Sequence, residues 1–273
     1  MNEHDEVQRL IEKEEQLLNY HGEDEIIRCH DMLDLIYARN KERLPFTLCP
    51  GLPGLDNSIK HFLGGELIII SGPTKMGKTL FAQTLSRNFS GQNHVGAWFQ
   101  YEVPGDQFLE QFGDSLPAFV MPKTLKDNSV SWIVDRIHEA ILKHGIKYVF
   151  IDNTHNVMNL TMQNLSQVMG EFLKALKRTA IKFNIAIFLL HHLSKVKLID
   201  DDTLDSSLLR DSSLVAQTAD TVMLVWRDKD IIIKPNRGYI KVTENRRYGV
   251  MNKIVTVKKV GNFLEEVGYH YGQ

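Results

Sequence analysis

The residues from position 72 to position 79 form a glycine-rich phosphate-binding motif. They read G-P-T-K-M-G-K-T and fit the pattern G-x-x-x-x-G-K-[ST] at every position. In such a loop the glycines let backbone N–H groups face a phosphate, Lys78 reaches the β- and γ-phosphates, and the Thr79 hydroxyl binds Mg²⁺. The nucleotide site predicted from this motif comprises Gly72, Pro73, Thr74, Lys75, Met76, Gly77, Lys78 and Thr79.

Ionisable side chains follow three further apolar runs. Asp152 ends the run KYVFID, where a carboxylate would hold Mg²⁺ through water, although a strand-end cap is the alternative. Glu102 follows WFQY, where it would orient or deprotonate an attacking water, although exposed glutamates are common. His191 and His192 end FLLHH, and such a pair is more often structural than catalytic.

A sheet must position these residues. Five continuous apolar runs, separated by helical stretches, are typical of buried parallel strands in an α/β protein. The carboxyl ends of neighbouring parallel strands share one crevice, so the ionisable residues are expected beside the glycine loop. The five runs are Glu66–Ser71, Val95–Tyr101, Lys147–Asp152, Ile185–Leu190 and Thr221–Trp226.

Two other periodic segments complete the predicted architecture. Residues 166–183 form a crossover helix whose apolar stripe includes Ile181 and whose lysines, among them Lys177, point mostly outward. Residues 239–243 and 254–257 alternate in polarity and predict an antiparallel hairpin. The predicted fold is therefore α/β with a mostly parallel central sheet.

Residues 1–45 differ in composition from the rest of the chain. They contain 12 Asp and Glu against 6 Lys and Arg, and their apolar residues recur at helical spacing on both sides of His21-Gly22. We expect two amphipathic helices in a segment 1–45 that precedes an ATPase domain 46–273. Packing on their own domain and docking on a subunit or partner are both open.

Composition excludes several classes of protein. The chain has 273 residues, 43% of them hydrophobic and 24% charged, with a formal net charge of −2. That balance excludes a protein coated with nucleic acid over its whole surface, but it allows a local basic stripe. The sequence has no bilayer-spanning run and begins with acidic residues rather than a signal peptide. Its two cysteines, Cys29 and Cys49, cannot form a disulfide framework, so we expect a protein of the reduced cytosol.

Taken together, these segments resemble the RecA-like ATPase domain of the DnaB-type replicative helicases. The resemblance covers roughly residues 50–267. It rests on the leader GLPGLDNSIKHFLGGE, the phosphate loop, the strand ends WFQYE, KYVFIDN and FLLHH, the segment LLRDSSLVAQTADTVMLVWRD, and the stretch VTENRRYGV.

The resemblance implies roles for individual residues. Glu102 stands at the position of the catalytic glutamate, and His192 replaces the glutamine that senses the γ-phosphate. Arg246 stands at the arginine finger, which acts on the nucleotide of a neighbouring subunit. The family usually has a lysine where this chain has Glu244, so either Arg247 compensates or the contact between subunits is weaker.

Two loops would face DNA in the central channel of such a ring. They span about 153–165 and 194–213, and the second holds five aspartates, which repel phosphates. DNA contact is therefore expected from Lys195, Lys197, Arg210 and Asn156. For the two lysines, solvated surface is the alternative.

The resemblance implies an ATP-dependent helicase or translocase that uses Mg²⁺ and acts on single-stranded DNA in replication as a hexameric ring. Its further partners would be primase, a loader or another replication protein, without a membrane. A bacterial, phage or plasmid replication system would suit its small size. A recombination-type RecA/KaiC-like ATPase and a helicase-like nucleotide-binding adaptor are the alternatives.

Overall fold

The computed structural model describes residues 3–22, 24–42, 46–153, 165–192, 217–227, 237–249 and 253–271. The chain divides into two compact units, Met1–Pro45 and Phe46–Gln273. The predicted DNA contacts Asn156, Lys195, Lys197 and Arg210 lie outside the described residues.

The first unit holds two helices, α1 (Glu3–Leu18) and α2 (Cys29–Glu42). Large apolar side chains of both helices are exposed, including Leu10 at 57% and Leu33 at 47%. The two helices predicted from the sequence are therefore present. No helix in the described parts of the chain combines the length and the apolar character that a bilayer crossing needs.

The second unit is built on strands. A short antiparallel pair, β1 and β2, stands apart from a large sheet, which contains nine strands among the described residues. The strands are β1 (Thr47–Leu48), β2 (Phe62–Leu63), β3 (Leu67–Gly72), β4 (Gly96–Gln100), β5 (Phe119–Val120), β6 (Tyr148–Asp152), β7 (Ala186–His192), β8 (Thr221–Arg227), β9 (Arg237–Asn245), β10 (Lys253–Val260) and β11 (Phe263–Tyr271).

The strand order of the large sheet is β11-β10-β9-β8-β3-β7-β6-β4-β5. All pairs from β8 to β5 are parallel, and all pairs from β8 to β11 are antiparallel. The strands β3, β4, β6 and β7 therefore end at one carboxyl edge, where the site residues were predicted. The expected mostly parallel α/β sheet is confirmed.

Helices cover both faces of the sheet. They are α3 (Pro53–Ile59), α4 (Lys78–Gly91), α5 (Gly105–Glu110), α6 (Val130–His144) and α7 (Leu165–Phe183). Side chains alternate between the faces of a strand, so Leu67 and Ile69 join one core with α6 and α7. Ile68 and Ile70 join the opposite core, to which α4 contributes Phe89. Two apolar layers thus fix the central strands and their ends.

Sequence and structure differ in a few elements. The helix α7 matches the predicted crossover helix, but Ile181 is 60% exposed, so its place in the apolar stripe was wrong. Lys177 is only partly exposed and does not point into solvent, because it donates to Gly65 O at 2.7 Å and to Asp220 Oδ2 at 2.6 Å. The predicted hairpin is β9 and β10, and the edge strand β11 was not predicted.

Candidate nucleotide-hydrolysis site

The glycine loop connects the end of β3 to the start of α4. Gly77 has a φ of +98°, which glycine adopts without strain, and a Cβ there would meet nothing within 4 Å. Gly77 is also the N-cap of α4, and no side chain caps the helix. The first-turn N–H groups and the positive end of the helix dipole therefore favour an anion at this point.

Lys78 lies beneath the loop and is 4% exposed. Its Nζ donates to the carbonyl oxygens of Gly72 at 3.0 Å and Pro73 at 2.8 Å. Burial lowers the pKa of Lys78 to about 8, although the nearby Asp152 and Glu102 favour the charged form. The ammonium is therefore held at the loop by neutral acceptors, and phosphate oxygens would satisfy it better.

Asp152 ends β6 and is 1% exposed. Its Oδ2 accepts hydrogen bonds from Thr79 Oγ1 at 2.8 Å and from Gln100 Nε2 at 3.2 Å. Burial raises the pKa of Asp152 to about 6, partly offset by the bond from Thr79. A carboxylate and a hydroxyl are thus held together as hard oxygen ligands.

Glu102 lies just beyond the end of β4, with its backbone N–H donating to Gln100 Oε1 at 2.8 Å. Asn153 Nδ2 lies 3.4 Å from Glu102 Oε2 and 2.9 Å from His192 Nε2. Glu102 and His192 line one open cavity of about 260 Å³ together with the loop residues Lys75, Met76, Gly77, Lys78 and Thr79. The structure therefore brings the predicted loop, glutamate and histidine to one cavity.

The remaining predicted residues near this site have distinct places. Asp152 reaches the loop through Thr79. Pro73 and Thr74 lie in the loop itself, where Pro73 is half-buried, Thr74 is exposed, and Pro73 O accepts from Lys78 Nζ. His191, in contrast, is 7% exposed, and its carbonyl accepts from Ser71 Oγ at 3.2 Å. The expectation of a structural role thus fits His191, whereas His192 faces the cavity.

Arg246 lies near the amino ends of the parallel strands, opposite the carboxyl edge that holds the phosphate loop. Asn245 pairs with Thr221, and Thr221 pairs with Ile68 near the start of β3. The loop begins at Gly72, four residues after Ile68, so at about 3.3 Å per residue about 13 Å of β3 separates the loop from the level of Asn245. Arg246 N donates to Asp220 O at 2.9 Å, and its guanidinium donates to Gln217 O. Arg246 cannot reach the phosphate loop of its own chain.

A family model described as an AAA domain matches residues 50–197, which is more than half of the chain. The chain belongs to the AAA domain family. The matched range of this AAA domain includes the glycine loop, Glu102, Asp152 and His192.

Relatives of this AAA domain include helicases. The chain is 24% identical to the Replicative DNA helicase DnaB of Rickettsia typhi over 269 residues, covering 77% of this chain and 52% of that protein. It is 25% identical to the Probable replicative DNA helicase of Trieres chinensis over 237 residues, covering 72% and 51%. The chain therefore spans about half the length of these relatives.

Solved structures agree in fold. One solved structure, described as an ATPase domain, superposes with a TM-score of 0.73 at 16% identity, covering 88% of this chain and 99% of that one. A second, described as a DnaB-like replicative helicase and its interactions with primase, gives a TM-score of 0.70 at 17% identity, covering 95% and 71%. The predicted RecA-like fold and the resemblance to DnaB-type ATPase domains are confirmed.

Sequence reasoning missed three polar residues around the cavity of this AAA domain. Gln100 bonds both Asp152 and the backbone of Glu102, Asn153 contacts Glu102 and His192, and Arg227 at the end of β8 lines the cavity. Each stands at the carboxyl end of a predicted strand. That position was the available signal, because strand ends converge on one crevice.

Compensation by Arg247 for the absent lysine at Glu244 was one of two expectations, the other being a weaker contact between subunits. Arg247 Nε instead pairs with Glu66 Oε1 at 3.1 Å, and its guanidinium donates to His61 O. Burial raises the pKa of Glu66, and Arg247 partly opposes that shift. Both arginines thus bond within this chain, but Arg247 forms an ion pair with Glu66, whereas the exposed Arg246 bonds to the neutral carbonyl of Gln217.

Proposed function

We propose that this AAA domain is the motor of an ATP-dependent helicase or translocase that acts on single-stranded DNA in replication. The observation that carries the proposal is the meeting of the phosphate loop, Asp152, Glu102 and His192 at one sheet edge. The names of the relatives supply the DNA-replication part of the proposal. The chain spans about half the length of those relatives, so helicase activity is proposed for this chain on the strength of its own site.

The residues around the loop fit ATP with Mg²⁺. Backbone N–H groups at the start of α4 would hold the β-phosphate, and Lys78 would turn its Nζ from the Gly72 and Pro73 carbonyls towards the phosphates. Thr79 and Asp152 are placed to hold Mg²⁺, Asp152 through water. Bound Mg²⁺ would neutralise charge on the β- and γ-phosphate oxygens.

Two side chains are proposed to act on the reacting end of the nucleotide. Glu102 is exposed to the cavity and would orient or deprotonate the attacking water. His192 lines the same cavity and would donate a hydrogen bond to the γ-phosphate. Since both side chains lie at the carboxyl edge of one chain, a single subunit would supply the groups that act on the attacking water and the γ-phosphate.

Completion of the site is proposed to require a second copy. Arg246 lies at the amino edge of the parallel strands and would reach the nucleotide of a neighbouring subunit. An arginine supplied in this way stabilises charge on the transferring phosphoryl group. A hexameric ring satisfies this requirement for every site at once, since head-to-tail contacts close by rotation.

The DNA-facing and partner-facing parts of the proposal rest on the sequence. Lys195, Lys197, Arg210 and Asn156 are the proposed DNA contacts. Segment 1–45 is proposed to dock on a subunit or partner, and domain 46–273 to carry the ATPase. Primase or a loader is proposed as a further partner, since one structural neighbour is described with primase. A cytoplasmic bacterial, phage or plasmid system is the proposed setting.

The deciding experiment is ATP hydrolysis with and without single-stranded DNA. Wild type is compared with Lys78→Ala, Arg246→Ala and an equimolar mixture of the two variants. We expect DNA to stimulate the wild type, each variant to be inactive, and the mixture to regain part of the turnover, because mixed neighbours would form some intact sites. Nucleotide binding without turnover, unaffected by DNA, would favour the adaptor, and DNA-bound filaments in electron micrographs would favour the recombination-type ATPase.

A further inference from the structure

Asn153 occupies the middle of the hydrolysis site. The sheet order places β6 between β7 and β4, so the residue after β6 stands between the ends of its two neighbours. Asn153 is that residue and is 4% exposed. Its side-chain Nδ2 lies 2.9 Å from His192 Nε2 on one side and 3.4 Å from Glu102 Oε2 on the other. One amide group therefore touches both side chains proposed to act on the γ-phosphate.

The chemistry of the two neighbours fixes the orientation of this amide. An ionised carboxylate only accepts hydrogen bonds, so the NH₂ group of Asn153 must face Glu102 rather than its oxygen. The same NH₂ group has a second hydrogen, which it donates to His192 Nε2. Since Nε2 then accepts, the neutral imidazole carries its proton on Nδ1.

We propose that Asn153 is a positioning residue that holds the Glu102 carboxylate and sets the tautomer of His192 at the same time. This inference rests on the proposed ATPase function. On nucleotide binding, His192 Nε2 would exchange the Asn153 donor for the γ-phosphate, with the ring proton moving from Nδ1 to Nε2 through solvent, and the change reaches Glu102 through the shared Asn153 amide. The carboxylate thus takes its hydrolytic position only when the histidine is engaged, which couples recognition of the γ-phosphate to activation of water.

The first test uses Asn153→Leu, which removes the donor and nearly preserves the volume. We expect kcat for ATP to fall about 10- to 100-fold, as for other residues that orient a catalytic group. Nucleotide affinity, measured with a fluorescent ATP analogue, and the melting temperature should remain those of the wild type. An unchanged kcat overturns the inference, and so does a parallel loss of affinity, turnover and melting temperature, which indicates a structural role only.

A double-variant cycle tests the coupling. His192→Leu removes the acceptor, whereas His192→Gln keeps both an acceptor and a donor at that position. We expect Asn153→Leu to slow the His192→Gln protein more than the His192→Leu protein, in which only the bond to Glu102 remains to be lost. Multiplicative effects in the His192→Leu background overturn the proposal of coupling.

The tautomer of His192 gives a readout that does not depend on hydrolysis. In ¹⁵N-histidine NMR spectra of the full chain, we expect the Nδ1–H form in the wild type and a shift towards the Nε2–H form in Asn153→Leu. The His192→Gln protein assigns the signal. An unchanged tautomer overturns the inference. If the wild type has this tautomer but no ATPase activity under any condition, the proposed function fails while the placement of Asn153 stands.

Discussion

The two edges of the parallel strands both hold buried or partly buried charges, but they balance them differently. At the amino edge, Lys177 pairs with Asp220 at 2.6 Å and Arg247 pairs with Glu66 at 3.1 Å. At the carboxyl edge, Lys78 bonds to carbonyl oxygens and Asp152 to a hydroxyl and an amide.

Burial shifts pKa values at both edges, and at the amino edge the paired Arg247 partly opposes the raised pKa of Glu66. Burial displaces the pKa of Lys78 to about 8 and that of Asp152 to about 6, in each case towards the uncharged form. Buried charges that pair within the chain support the fold, whereas buried charges without a full partner are suited to a charged ligand. The same residue types therefore serve structure at one edge and chemistry at the other.

Adjacent arginines at the amino edge provide the largest expected contrast. Arg246→Ala should lower kcat of the assembled protein by about 10³- to 10⁵-fold, because it removes the charge proposed to act on the neighbouring nucleotide. Arg247→Ala should retain most turnover and lower the melting temperature, because Glu66 loses its partner. Steady-state ATPase assays and thermal melts check both. Equal losses of turnover would show that the two arginines act as one unit.

Two buried or partly buried lysines sharpen the comparison between the edges. Lys78→Ala should lower kcat by about 10²- to 10³-fold, as for loss of one preorganised donor, with an unchanged or higher melting temperature. Lys177→Ala should melt at a lower temperature, because Asp220 and Gly65 O lose their donor, and should hydrolyse ATP normally when assayed in the cold. A turnover defect in Lys177→Ala at low temperature would contradict the division between edges.

Asp220→Asn tests the structural edge by stability alone. The carboxylate accepts from Leu67 N at 2.8 Å and pairs with Lys177, and the amide would leave that lysine without its counter-charge. We expect the free energy of unfolding to fall by about 2–3 kcal/mol at pH 7. Urea denaturation of the nucleotide-free protein measures it. No loss of stability would mean that the pair is balanced by its desolvation.

Asp152→Asn should change stability in the opposite direction and raise the free energy of unfolding. The folded pKa of Asp152, about 6, exceeds its ordinary value of 3.8, so between these values the folded state binds more protons than the unfolded state. Stability from this group is therefore present at low pH and lost as pH rises from about 4 to about 6. We expect Asp152→Asn to be more stable than wild type at pH 7 by about 1–2 kcal/mol.

The check is urea denaturation of both proteins at pH 4.5 and pH 7 without nucleotide or Mg²⁺. The stability difference should shrink at the lower pH, where the wild-type carboxyl is largely protonated. If the stability difference between the two proteins were the same at pH 4.5 and pH 7, the raised pKa of Asp152 would be contradicted. The variant should also lose Mg²⁺-dependent turnover.

The sequence predicts the central strands because they are long and apolar. Runs such as Leu67–Gly72 and Ala186–His192 are buried on both faces, so composition alone identifies them. The strand β11 was missed because it lies at an edge and leaves Tyr269 and Tyr271 exposed. Pairs of residues such as β1 and β5 are too short to show a period.

The site was predictable where a motif fixes residue types. The spacing of glycines, lysine and threonine from Gly72 to Thr79 is specific to phosphate-binding loops. The positions of Asp152 and Glu102 at strand ends indicated the other two residues. Asn153 and Gln100 were missed because their contacts depend on which strands are neighbours. Lys177 was misplaced for the same reason, since its partner Asp220 lies 43 positions away in the chain.

The unbalanced charges of Lys78 and Asp152 also bear on how long a chain survives. A ligand that binds only the native state raises the free energy of unfolding as its concentration exceeds its dissociation constant. Chains with an empty loop would therefore open more often and present more substrate to proteases than nucleotide-bound chains. Energy supply and protein turnover would then be linked through one buried lysine and one buried aspartate, with nucleotide-starved copies removed first.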